Sequence, residues 1–248
     1  MSHPLRGKAA VVVGGSGGIG QHTCLELAKA GARVAVGYRS ARDRAEALVA
    51  KLPGEGHAAL PVSIEETPSI EAFRDAVLLQ FGKADILVNA AGVTQPVPHG
   101  DLDALTDALI DQVFINNWRG VFATIRAFAP ALKASGDGLI VNVSSIAAFT
   151  GIGSNIAYCG AKAGLDIMTN SLARALAPQI RVIAVSPGMV DTDFVPGRGQ
   201  DVKDKAAAAT PLKRLTTTAD VAQAILACAT HLHFSTGTRI VVDGGRHL

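Results

Sequence analysis

Long apolar runs, paired cysteines, aromatic clusters and blocks of like charge are all missing from this chain of 248 residues. Apolar residues make up 48% of it, with Ala and Val dominating. No stretch reaches the roughly 18–20 uninterrupted apolar residues that cross a bilayer, so no membrane span is expected. Met1-Ser-His-Pro-Leu-Arg-Gly-Lys runs straight into a short apolar segment, with no long apolar stretch ahead of a cleavage site. A cytoplasmic rather than a secreted protein is the expectation. The 3 cysteines, Cys24, Cys159 and Cys228, are far apart and form neither a CxxC nor any metal-ligand spacing. Three reduced thiols and no metal centre follow. Lys and Arg (23) nearly balance Asp and Glu (21) and are interspersed with them, and aromatics are only 4%. Neither a basic footprint nor a stacking platform for nucleic acid is present.

What is there begins with Tyr158 and Lys162, four residues apart in Ser154-Asn-Ile-Ala-Tyr-Cys-Gly-Ala-Lys. On a helix they lie one above the other on the same face. A phenol loses its proton near pH ~10, and a neighbouring positive charge lowers that value. Such a pair makes a general acid–base poised nearer neutral pH. The bare spacing also occurs in helices with no chemistry to perform.

Strand-like segments read at Ala9–Val13, Arg33–Tyr38, His57–Val62, Ile86–Asn89, Leu139–Ser144, Arg181–Val185 and Thr238–Val242. Helical patterns lie between them at Ile19–Ala30, Arg42–Leu52, Ser69–Phe81, Leu102–Ser135 with a break near Asn117, Tyr158–Ala177 and Ala219–Thr230. Continuous apolarity in the strands suits a sheet covered on both faces. The alternation predicts an α/β chain, a doubly wound Rossmann fold with a seven-stranded parallel sheet. No linker or repeat is visible, so residues 1–248 read as one dinucleotide-binding and catalytic domain. The segment at about 189–216 is long and carries Pro196, Gly197, Gly199 and a short helical stretch, Asp201–Ala209. It reads as a lid over a pocket, or else as a surface excursion.

The first strand runs into Gly14-Gly-Ser-Gly-Gly18-Ile-Gly20, a glycine-rich turn opening a helix. Glycines allow close backbone approach, and free N–H groups at a helix start attract a pyrophosphate. The second strand ends at Tyr38-Arg39-Ser40 with no acidic residue to hold a ribose 2′-hydroxyl. Arg39 offers a fork for a 2′-phosphate and Ser40 a hydroxyl, favouring NADP(H), with NAD(H) possible; the alternative is a solvated arginine and an unselective site.

With these residues the chain resembles the short-chain dehydrogenase/reductase family over nearly its whole length. The resemblance rests on the glycine turn, Asn89-Ala-Ala-Gly92, Asn117 three residues before Gly120, Ser145 thirteen residues before Tyr158, Pro187-Gly188, Thr192 and Val241-Val-Asp-Gly-Gly245. In style it is similar to 3-oxoacyl-(acyl carrier protein) reductases and small-ketone reductases. Departures are Val13 for a threonine, Ala90 for the second asparagine of its motif, Pro61 near a customary aspartate, and Ile183 for an asparagine.

The resemblance implies an NAD(P)-dependent oxidoreductase moving hydride between nicotinamide and a carbonyl or secondary alcohol. Tyr158 would be the general acid–base, Lys162 would lower its pKa and bond the nicotinamide ribose, Ser145 would hold the substrate oxygen, and Asn117 would hold a water near Lys162. Cofactor contacts are expected from Gly14, Ser16, Gly17, Gly18, Ile19, Gly20, Tyr38, Arg39, Ser40, Val62, Asn89, Ala90, Ala91, Gly92, Tyr158, Lys162, Pro187, Gly188, Val190 and Thr192. The expected partner is a small ketone, alcohol or 3-oxoacyl thioester, selected by Thr94–Gln95, Ile146–Asn155 and Met189–Ala209. A homotetramer or homodimer is implied, with Gly160 and Gly164 permitting close helix approach either between subunits or within the chain. A nucleotide-sensing regulator with little turnover and a methyltransferase are the competing readings. His231-Leu-His233 lacks a third metal ligand and reads as a helix end, His22 as structural, and Asp191 and Asp193 as turn residues.

Overall fold

The computed structural model describes residues 3–192, 194–197 and 199–248. Asp193 and Arg198, read above as a turn residue and part of the lid, lie outside the described residues. Ala9–Val13 (β1) shows why the sheet forms where it does. All its residues are apolar and buried. Alternate side chains serve opposite faces: Ala9, Val11 and Val13 join one core cluster, Ala10 and Val12 the other. A strand apolar on both sides requires helices on both sides.

The remaining strands are β2 (Arg33–Tyr38), β3 (Ala58–Pro61), β4 (Ile86–Asn89), β5 (Gly138–Val143), β6 (Ile180–Pro187) and β7 (Thr238–Val242). They form one 7-stranded sheet in the order β3-β2-β1-β4-β5-β6-β7, and every pairing is parallel. Three helices cover one face: α3 (Thr67–Phe81), α5 (Gly120–Ala134) and α7 (Ile156–Leu176). There Phe73 and Phe128 meet edge to face at 5.7 Å. The opposite face is covered by α1 (Gly18–Lys29), α2 (Arg42–Val49) and α9 (Thr218–Thr230). The chain winds outward from β1 to β3, then returns to β4 on β1's other side. That reversal opens a crevice beyond the strands' carboxyl ends, where ligands of open α/β sheets bind.

Several element ends differ from the sequence reading for identifiable reasons. The third strand is shorter than His57–Val62 because the His57 ring accepts a hydrogen bond from Val34 N at 3.1 Å. Pro61, which has no N–H to give a ladder, ends that edge strand. The long helix expected from Leu102 starts at α4 (Asp107–Phe114), capped by Thr106, whose Oγ1 accepts from Leu109 N at 3.3 Å. Its break is a π turn at Ile115–Arg119, where Gly120 N bonds Ile115 O. Gly120 is required there, because a Cβ would sit 2.5 Å from Ile64 O. A short helix, α6 (Ala147–Thr150), follows Ser145 and has no counterpart in the sequence reading; four residues carry no periodicity. Gly151 ends it at φ +68°. Helix α8 (Gln200–Ala209) coincides with the short helix expected in the long segment.

Candidate active site

A cleft of about 1360 Å³ lies along the carboxyl ends of the strands. Its wall takes Val13 from β1, Tyr38 from β2, Val143 from β5 and Pro187 from β6, and Val62 and Ala90 just after β3 and β4. One inherited geometry therefore collects residues far apart in sequence.

The glycine turn shapes one end. A Cβ on Gly14 would lie 2.6 Å from Ala91 N, and one on Gly20 would lie 2.1 Å from Gly14 O. Those glycines exist for close packing of the turn against the β4 loop and against itself. Gly17 and Gly18 are exposed and line the cleft at the start of α1. Helix α1 has no side-chain N-cap and no acidic residue in its first turn, so its first N–H groups present positive charge to an anion. A dinucleotide's pyrophosphate fits this cradle.

Helix α7 carries the expected acid–base pair, Tyr158 and Lys162. Asn155 caps it, accepting from Tyr158 N at 2.7 Å, and Asn155 Nδ2 donates to Gln95 O at 2.8 Å. Ser154 bonds Thr94 through their hydroxyls. Thus Thr94, Gln95 and Asn155, expected as substrate selectors, brace the start of α7 from behind the cleft wall. Tyr158 and Lys162 both line the cleft, and Lys162 Nζ lies 5.7 Å from the Tyr158 ring centroid. Lys162 is 4% exposed and donates to Val143 O at 2.8 Å. Burial pulls its ammonium down to about 8, against the upward pull of Asp166. Asp166, one further turn along α7, accepts from Arg239 Nη1 at 2.9 Å. Desolvation raises its own carboxyl pKa, opposed by Ser144, Arg239 and Lys162. The sequence reading passed over Asp166, although its i,i+4 relation to Lys162 was visible.

Ser145 lines the cleft between β5 and α6, its Oγ accepting from Ala147 N at 3.2 Å. Asn117 is fully buried in the π turn and lies behind the lining, where its neighbour Asn116 appears. Asn117 Nδ2 donates to Val93 O at 2.8 Å and Val113 O at 2.9 Å, tying the β4 loop to α4. Among the expected cofactor contacts, Asn89 is sealed in the sheet: its Nδ2 donates to Asn142 Oδ1 at 2.9 Å, directly across the β4–β5 register. It fixes the strand behind the cleft and does not line it. The other expected cofactor residues all line the wall.

At the adenosine end Arg39, Ser40 and Arg44 line the cleft. Arg39 Nη1 bonds Glu65 Oε1 at 2.8 Å, and both side chains are largely exposed. At the other end stand Phe149, Ile152, Phe194, Val202, Arg246 and His247. Phe194 sits 6.1 Å from the Tyr158 ring. The segment carrying Phe194 and α8 is fastened at its base by Asp191 N to Thr216 O at 3.1 Å, and Lys203 Nζ bonds Asp191 Oδ1 at 2.6 Å.

The remaining candidates fall outside the chemistry. His22 lines the cleft beside the glycine turn, where it bonds Thr218 at 3.0 Å. His231 and His233 both bond Thr230 at the end of α9, and among the described residues no group of three ligands could hold a metal. All 3 cysteines are free; burial raises their thiol pKa values, that of Cys228 to about 11. Among the described residues no helix is long and apolar enough to cross a membrane. Gly160 and Gly164 face Phe114 and Trp118 of this same chain, at 3.5 Å and 3.0 Å from an added Cβ. Both glycines thus make contacts within the chain.

Residues 13–247 match the family model described as enoyl-(acyl carrier protein) reductase. The chain is 35% identical over 250 residues to cis-4-hydroxycyclohexanecarboxylate dehydrogenase of Sinomonas cyclohexanicum, covering 99% of this chain and 98% of that one. It is 33% identical over 245 residues to 3-oxoacyl-[acyl-carrier-protein] reductase of Staphylococcus epidermidis, covering 97% and 99%. The crystal structure of 3-ketoacyl-(acyl-carrier-protein) reductase from Brucella melitensis complexed with NADH superposes with a TM-score of 0.90 at 30% identity, covering 98% of this chain and 100% of that chain.

Proposed function

The chain belongs to the short-chain dehydrogenase/reductase family of oxidoreductases, and from that premise we propose that it moves hydride between NADP(H) and a carbonyl or secondary alcohol. The observation that carries this reading is Lys162, buried against Val143 O beside the Tyr158 ring in the wall of the cleft. The nicotinamide supplies or accepts the hydride when bound. Tyr158 gives its hydroxyl proton to the substrate oxygen in reduction and takes one back in oxidation. Lys162 holds positive charge near the phenol and favours its ionised form. Two of its three N–H donors remain for a ribose once Val143 O is served. Ser145 holds the substrate oxygen where negative charge develops. Asn117 is assigned the link from Lys162 toward solvent that the family resemblance implies.

Arg39 and Ser40 are the basis for NADP(H). Glu65 occupies the Arg39 fork, yet pairs this exposed contribute at most about 1 kcal/mol. A 2′-phosphate, carrying more charge, displaces it at small cost, and Arg44 stands nearby in the same wall. Residues 189–216 act as a lid within a single catalytic domain. One relative's name describes a 3-oxoacyl carrier-protein substrate and another's a hydroxycyclohexanecarboxylate. What they share is a carbonyl/secondary-alcohol couple, and that is the substrate class proposed. The test is a spectrophotometric screen of NADPH and NADH consumption against ketones and 3-oxoacyl thioesters. Turnover with a higher kcat/KM for NADPH is expected. Cofactor binding without turnover across the panel would instead favour a nucleotide sensor, and a preference for NADH would reject the cofactor assignment.

A further inference from the structure

Resting on that carbonyl-reductase reading, we propose that Arg246, set beside the His247 ring, makes an anion-binding wall at the substrate end of the cleft, so that the preferred substrate carries a carboxylate apart from its reacting carbonyl. Among the described residues four Lys or Arg side chains line the cleft: Arg39, Arg44, Lys162 and Arg246. Among the described lining residues Asp191 is the one carboxylate, and Lys203 already bonds it. The cofactor accounts for Arg39, Arg44 and Lys162. It does not account for Arg246.

Two contacts locate the wall. Arg246 Nη1 donates to Ala206 O of the lid helix at 2.8 Å, and the His247 ring meets the Phe149 ring at 5.6 Å, four residues past Ser145. Both residues therefore stand between the lid and the loop that carries the proposed oxyanion-holding serine, away from the glycine turn. Among the described residues no carboxylate lies within 4.0 Å of Arg246. The guanidinium keeps a planar set of donors beyond the one given to Ala206 O, the shape that grips a carboxylate with two bonds. His247 is held from behind: Asp243 Oδ2 meets its Nδ1 at 2.7 Å and accepts from its backbone N at 2.8 Å. The Asp243 side chain is 4% exposed and is fixed by Gly245 N at 2.9 Å. With its Nδ1 proton given to Asp243, the neutral ring keeps Nε2 as an acceptor, so His247 shapes and steadies the wall while the Arg246 guanidinium supplies the donors for the anion. Ile152, Phe149 and Val202 line the cleft there as well. The wall thus fits an apolar skeleton with a carbonyl at one end and a negative charge at the other. A carrier-bound thioester has no charge so near its reacting group.

The experiment compares kcat/KM for levulinate and 4-oxocyclohexanecarboxylate, each against its methyl ester, in the parent enzyme and in Arg246→Gln and Arg246→Lys. The acid should exceed its ester by about tenfold or more, the scale of one charge-assisted hydrogen bond. Arg246→Gln should lower that ratio at least fivefold through KM of the acid, with partial recovery in Arg246→Lys. Equal use of acids and esters by the parent overturns the proposal while leaving carbonyl reduction intact. A ratio unchanged in Arg246→Gln also overturns it, because a residue that merely tethers the lid lowers acids and esters alike. Turnover of thioesters with none of any ketone overturns it as well. No NADPH consumption with any carbonyl compound removes the underlying reading instead, and this inference with it. Thermal melts of each variant separate loss of binding from loss of fold.

Discussion

Burial strips water from the Lys162 ammonium, and its pKa falls to about 8 from an ordinary 10.5. Below about pH 8 the residue is cationic and, in the proposed mechanism, assists Tyr158; above it, that assistance fades. Carbonyl reduction should therefore lose kcat/KM as pH rises through about 8. Asp166 pulls the Lys162 value upward, so Asp166→Asn should move this limb to lower pH. A profile flat to pH ~10, or a limb unmoved in Asp166→Asn, contradicts the assignment. The same shift has a stability consequence with its own sign. The folded value lies below the unfolded one, so the unfolded chain holds more protons between about pH 8 and 10.5. This residue's contribution to stability rises with pH across that window. At the adenosine end, Glu65→Gln should raise the NADPH/NADH ratio of kcat/KM by up to about fivefold, by freeing Arg39 from a pair worth at most about 1 kcal/mol. Residue types and spacing singled out Tyr158, Lys162 and Arg39 in the sequence, and the family resemblance singled out Ser145. They did not expose Glu65 or Arg246, because partners brought by a fold from distant segments leave no local pattern.

Elements were legible where periodicity ran long. The β1 and β2 boundaries coincide with the sequence reading because β1 and the Val34–Val36 core of β2 are continuously apolar and buried, flanked by glycine or polar residues. Short or interrupted elements were less so: α6 is one turn, and the π turn at Ile115–Arg119 appeared in sequence merely as a break near Asn117. Its cause, backbone contact between Gly120 and Ile64, is tertiary. Helix α9 bears a local test. Thr217 and Asp220 form a reciprocal capping box, and Arg214 draws the Asp220 carboxyl far below its usual range. Thr217→Ala should cost about 1 kcal/mol and lower Tm by roughly 2–4 °C in a chain of this size. An unchanged Tm in thermal denaturation would show that the box does not hold the helix end. In the glycine turn, Gly20→Ala puts a Cβ 2.1 Å from Gly14 O, so this variant should lose the Tm rise that NADPH gives the parent.

Across the whole molecule, two core clusters on either face of one parallel sheet make a rigid platform, and the cleft lies where the winding reverses. The face outside α4, the π turn and α7 remains apolar, with Trp118 stacked on Phe122 at 6.2 Å and Ile167 64% exposed. We propose this aromatic face as the surface a second copy meets. Sedimentation at micromolar concentration should show a dimer or tetramer, and a monomer alone would contradict that expectation. The central claim, a phenol made acidic by a buried ammonium in the cofactor cleft, is tested most directly by kcat for ketone reduction in Tyr158→Phe. The account predicts a fall of about 10²–10⁴, the scale of a removed acid–base, in a protein that still melts cooperatively; turnover within threefold of the parent would contradict it.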